Sequence, residues 1–181
     1  MKSICFGDSN TYGYDPRSYF CGRYPKEGRW VDLLATKTGW DLCNQGQNGR
    51  TIPQTKVFFP ADIDLLIVML GTNDLLQGHT PESTAENMKQ FLLRLPLARE
   101  KILLIAPPPV VPGAWVDSQK LVDNSHALTG YYRDLAAQLG IAFADAGRWN
   151  IPLAYDGVHF TEEGHRAFAA GLWLELSQTL F

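Results

Sequence analysis

The chain has 181 residues, a formal net charge of −3, 45% hydrophobic and 19% charged residues. That length predicts one domain, residues 1–181, with a full core, and the acidic balance without a basic stripe excludes an electrostatic grip on nucleic acid. The longest charge-free stretch, residues 102–116, is too short to cross a membrane, and three cysteines (Cys5, Cys21, Cys43) without CxxC spacing point to a reducing cytoplasm and away from a disulfide framework or zinc cluster.

Apolar runs alternate with amphipathic segments along the chain. Residues 3–7 (SICFG) read as a first strand ending at Gly-Asp-Ser. Residues 29–38 place Trp30, Leu33 and Leu34 on one face at helical spacing. Residues 41–45 read as a second, weaker strand. Residues 64–70 (DLLIVML) lack polar alternation, as in a strand covered on both faces. Thr80 and Pro81 open a helix striped by Met88, Phe91, Leu92 and Leu95. Residues 101–106 form a fourth strand, stopped by three prolines. A helix over 121–139 contains Gly130, and a fifth strand covers 141–144. Thr161 caps a last helix reaching about Ser177. Five repeats of strand and helix predict an α/β fold: a three-layer, flavodoxin-like, five-stranded parallel sheet with helices on both faces.

Ligands of such sheets bind beyond the carboxyl ends of the strands. There the sequence places Gly7-Asp8-Ser9-Asn10, then the loop 44–51, then Gly71-Thr72-Asn73-Asp74, then Asp156-Gly157-Val158-His159. A serine hydroxyl needs a base, a base imidazole needs an orienting partner, and an oxyanion needs preorganised donors. Ser9 is the candidate nucleophile and His159 the base. Asp156 is the orienter, folding back through Gly157. The Ser9 and Gly49 N–H groups and the Asn73 amide are the candidate oxyanion donors, with Gly46 as the alternative glycine. Asp8 and Asp74 are expected to accept backbone N–H groups. His79, His126 and His165 read as surface or helix histidines, with Glu162 and His165 as an ordinary surface pair. Cys5 and Cys43 read as small buried hydrophobes, and Cys21 as a loop thiol. Ser9 taken alone, without the other blocks, reads as a plain helix N-cap. No GxGxxG or Walker loop follows the first strand, which argues against a nucleotide binder.

These blocks together resemble the SGNH/GDSL hydrolase superfamily. The likeness rests on FGDS at 6–9 followed by Thr-Tyr-Gly, a glycine in the second loop, GTND at 71–74 and DxxH at 156–159. GRW at 28–30, APPP at 106–109 and DGVHFTEEGH at 156–165 add a likeness to its arylesterase and acyltransferase branch. Position 10 is Asn10, where the family's signature has leucine. The resemblance implies Ser9 as nucleophile, Gly49 and Asn73 as oxyanion donors, His159 as base and Asp156 as its orienter. It implies a small ester substrate, water or an alcohol as acyl acceptor, and no cofactor. Activity is expected to rise from pH 5 to 8 as the base loses its proton. An O-acetyl esterase of sugars, a thioesterase, and a binding module without catalysis are the alternatives. The aromatic loop 12–30 (Tyr12, Tyr14, Tyr19, Phe20, Tyr24) and the loop 107–117 (Val110, Val111, Trp115) are expected to wall the pocket, although the former would serve a homo-oligomer interface as well. Arg17, Arg23, Arg29 and Arg50 are candidates to meet an anionic group.

Overall fold

A computed structural model describes residues 1–18, 20 and 22–180, with only the backbone of 179 and 180. Tyr19 and Cys21, both singled out above, lie outside the described residues. Five strands form one parallel sheet: β1 (Lys2–Gly7), β2 (Asp41–Gly46), β3 (Leu65–Met69), β4 (Ile102–Ala106) and β5 (Ala142–Asp145). Their order is β2-β1-β3-β4-β5, the flavodoxin-like order expected. Each strand begins and ends within one residue of its expected place.

The helices are α1 (Ser9–Tyr12), α2 (Trp30–Thr38), α3 (Thr72–Leu76), α4 (Pro81–Leu93), α5 (Gln119–Leu139) and α6 (Glu162–Leu180). Successive strand residues point to opposite faces, so an all-apolar strand must be covered twice. Ile4, Phe6, Leu66, Val68, Ile102 and Leu104 pack on one face against Met88 and Phe91 of α4 and Leu128 and Tyr132 of α5. Cys5, Leu65, Ile67, Leu103 and Ile105 pack on the other against Trp30 and Leu34 of α2 and Phe168 and Leu172 of α6. β2 is an edge strand, which explains its weak pattern and corrects one expectation: Cys43 is exposed there, while Cys5 in central β1 is buried.

Thr80 caps α4 through a reciprocal bond with Ser83, and Thr161 Oγ1 accepts the Gly164 N–H at 3.0 Å at the start of α6. The start of α5 differs from expectation, because Ser118 caps it two residues earlier, accepting from Leu121 N–H. The short helices α1 and α3 have no counterpart among the elements expected from the sequence. They follow β1 and β3 directly and carry Ser9 and Asn73. The order of the chain reverses between β1 and β3, so both helices open onto the topological switch point. Among the described residues, no helix is long and apolar enough to cross a membrane.

Candidate active site

β1 runs straight into α1, so Ser9 is the first helical residue. The helix cap is Asp8, whose Oδ1 accepts the Asn10 N–H at 3.0 Å. Ser9 is therefore not the N-cap, and its hydroxyl is turned to a different partner. Ser9 Oγ lies 2.9 Å from His159 Nε2, although the two residues are 150 apart in the chain. His159 Nδ1 lies 2.7 Å from Asp156 Oδ2. A carboxylate only accepts, so the single proton of the neutral imidazole belongs on Nδ1. Nε2 then offers its lone pair to the Ser9 hydroxyl.

The Asp156–His159 turn is held from inside and outside. Asp156 Oδ1 accepts the backbone N–H of Val158 and of His159, both at 2.9 Å. Gly157 has φ +81°, and a Cβ there would lie 2.1 Å from the Val111 carbonyl oxygen, so a side chain is excluded twice over. The loop after β4 supports the turn: Val111 N–H donates to Gly157 O at 3.0 Å and Trp115 N–H to Asp156 O at 3.0 Å. Val158 packs beneath with Val110, Val116 and Val122. Burial pushes the Asp156 carboxyl up. The bonds it accepts from the His159 ring and from the two backbone N–H groups outweigh that and leave it below the usual carboxylate value.

Asn73 is the second residue of α3, and its Nδ2 donates to Arg50 O at 3.1 Å. One N–H of that amide remains beyond this bond. Asp74 beside it accepts the Ile52 N–H at 3.2 Å, so the loop after β2 is bound to α3. Burial raises the Asp74 carboxyl, and the Ile52 bond opposes the rise. Gly49 sits in that loop with φ +70°. A cavity of about 160 Å³ is lined by Ser9, His159, Asn73, Gly49, Asn48, Tyr14 and Trp115. All the expected site residues thus border one cavity except Asp156, which stands behind His159. Gly46 ends β2 and is not part of this lining. Asn48 was not anticipated; its side-chain amide next to Gly49 was the available signal. A larger groove of about 480 Å³, against Tyr24, Tyr155, Glu162 and Arg166, holds neither Ser9 nor His159.

Three expectations need correction. The two loops expected to wall the cavity give it one aromatic ring each, Tyr14 and Trp115, centred 4.6 and 5.0 Å from the His159 ring. Tyr24 is buried against His165, Arg23 sits over the Tyr12 ring, and Phe20 is 94% exposed. The arginines are engaged elsewhere. Arg17 pairs with Asp15, Arg29 with Asp32, and Arg50 donates to Gly7 O and Gln45 O over the Phe6 ring. His165 is not at the surface: it is fully buried, its Nδ1 lies 3.4 Å from the Trp30 N–H, and Tyr24 and Phe160 pack edge-on against it. Burial, with help from the Arg29 and His159 charges, lowers its pKa from 6.5 to about 3. Glu162 pairs with Arg166 instead. The signal was present in α6, where His165 shares a helical stripe with Phe168, Leu172 and Leu176.

A family model for GDSL-like lipase/acylhydrolases matches residues 5–167. The chain belongs to that family. Proteins of known structure align over essentially its full length. A carbohydrate acetylesterase family member from Sinorhizobium meliloti shares 28% identity over 99% of each chain, with a TM-score of 0.82. The native aryl esterase of M. smegmatis shares 26% identity over 100% of each chain, with a TM-score of 0.85. No curated protein sequence matches. GDSL-family membership and these esterase neighbours make the chain an ester-hydrolysing enzyme.

Proposed function

We propose that this enzyme cleaves small carboxylic esters through an acyl-enzyme on Ser9. The unbroken line of bonds from Asp156 through His159 to Ser9 supports this reading more than any other observation. In the first half-reaction, Ser9 Oγ attacks the ester carbonyl and passes its proton to His159 Nε2. Asp156 holds the imidazolium that forms. The carbonyl oxygen becomes an oxyanion, received by the N–H groups of Ser9 and Gly49 and by the Asn73 amide. Ser9, as the first residue of α1, has one of the N–H groups that a helix leaves unbonded at its start. Collapse expels the alcohol, which leaves with the His159 proton. Water or an alcohol then attacks the acyl carbon by the same route in reverse. Every step uses protein side chains, backbone N–H groups and the acceptor.

The cavity volume of about 160 Å³ favours a short acyl group. Trp115 is 53% exposed and lines the cavity, where its apolar ring is available to pack against a ring in the leaving group. Aryl acetates and O-acetyl sugars both satisfy those conditions, and the neighbours' descriptions as an aryl esterase and a carbohydrate acetylesterase agree with this choice.

Turnover of p-nitrophenyl acetate, butyrate and octanoate and of acetylated sugars tests the reading. Rates should fall with acyl length. Ser9→Ala should lose at least about 10³-fold in kcat while keeping the native circular dichroism spectrum. Undiminished acetate hydrolysis by that variant would remove Ser9 from the mechanism.

A further inference from the structure

Asn10 follows the nucleophile and stands where the family's signature has leucine, yet it is 4% exposed and carries a side chain that must be hydrogen-bonded to be buried. Both ends of its amide are used. Nδ2 donates to Val158 O at 3.1 Å, and Oδ1 accepts the Phe160 N–H at 2.9 Å. These are the residues immediately before and after His159. One planar group therefore spans the base on its two backbone sides, from a position adjacent to Ser9. The rest of Asn10 is fixed as well: its N–H is bonded to Asp8, and its carbonyl accepts Trp30 Nε1–H at 3.0 Å. The nucleophile and the base arrive from opposite ends of the chain, on α1 and on the turn after β5. Val111 and Trp115 hold that turn through Gly157 and Asp156, both on the N-terminal side of His159.

We propose that Asn10 is a positioning residue whose side-chain amide, bonded to Val158 and Phe160, sets the distance between His159 Nε2 and Ser9 Oγ. The inference rests on the reading of Ser9 and His159 as nucleophile and base. A leucine at this position has about the same bulk but neither donor nor acceptor. It would leave the Val158 carbonyl and the Phe160 N–H unbonded, and the turn would relax to find other partners. A shift of about 1 Å between nucleophile and base costs on the order of 10²-fold in rate. In this chain, restoring the family's signature leucine therefore damages the enzyme.

The test is a double-mutant cycle on p-nitrophenyl acetate hydrolysis with Asn10→Leu, His159→Ala and both together. Asn10→Leu should lower kcat about a hundredfold with KM within about twofold of wild type. In the His159→Ala background, the same substitution should cost less than about twofold, because the group it positions is gone. A general structural defect would lower both backgrounds by the same factor, and that result, or wild-type kcat in Asn10→Leu, overturns the proposal. If Asn10→Leu does not fold, Asn10→Asp keeps the shape and the acceptor for Phe160 and carries the same cycle. Retained activity in His159→Ala alone would instead sink the reading of the site, and the positioning role with it.

Discussion

Asp8 sits between two demands. Its carboxylate caps α1 and is 2% exposed, and burial pushes its pKa from 3.8 up to about 6, against the pull of the Asn10 N–H and of the His159 charge. The native state thus holds a proton between pH 3.8 and 6 that the unfolded chain has released. Stability falls as pH rises through that window, and the full cost of about 3 kcal/mol stands above it. Asp8→Asn keeps a capping oxygen and removes the charge. It should raise unfolding stability by up to about 3 kcal/mol at pH 7 and by only about 1 kcal/mol at pH 4.5, measured by urea denaturation. Asp156→Asn tests the other neighbour of the base. An amide at that position can present an N–H to His159 Nδ1 and force the wrong tautomer, so kcat should fall by about 10³–10⁴-fold with little change in KM. A kcat within tenfold of wild type would mean that Asp156 does not orient the ring.

Among the elements, α6 does more than close the sheet. It begins just after the turn that carries His159, and its first buried side chain is His165, facing the start of α2. The His165 ring stays neutral in the fold, with its pKa near 3 against 6.5 for a free imidazole. Its contribution is present above pH 6.5 and is lost as pH falls, since only the unfolded chain takes up the proton. His165→Phe should be less stable than wild type at pH 7, having lost the acceptor of the Trp30 N–H. The gap should shift in the variant's favour by about 3 kcal/mol between pH 7 and 4.5. A pH-independent gap would mean that His165 titrates normally. Which elements the sequence disclosed also follows from physics. The caps Thr80 and Thr161 and the apolar runs of β3 and β4 are local signals. α1 and α3 are four and five residues long, too short for any helical period to show, and they exist because a strand end and a cap hold them.

At the scale of the molecule, the flavodoxin-like strand order decides where chemistry can happen. Ser9 and Asn73 leave the sheet on either side of the reversal between β1 and β3, and the loops after β2, β4 and β5 bring Gly49, Trp115 and His159 to the same rim. The sheet was legible from its apolar runs, and Ser9 and Asn73 because they follow the ends of β1 and β3; Asp156 and His159 lie well beyond the end of β5 at Asp145, and their DxxH spacing made them legible. Contacts made across the chain were not. Asn10 reaches Val158 and Phe160 over about 150 residues, and the loops' aromatic rings divide between the cavity, the arginines and solvent by packing that no spacing encodes. The claim on which the chemistry rests is that His159 activates Ser9. The most direct measurement is mass spectrometry of the chain after brief exposure to a fluorophosphonate at pH 7.5. One adduct per chain is predicted, on the peptide containing Ser9, and His159→Ala should slow its formation by at least about a hundredfold. Labelling of another residue, or equal rates at Ser9 with and without the imidazole, would contradict the account.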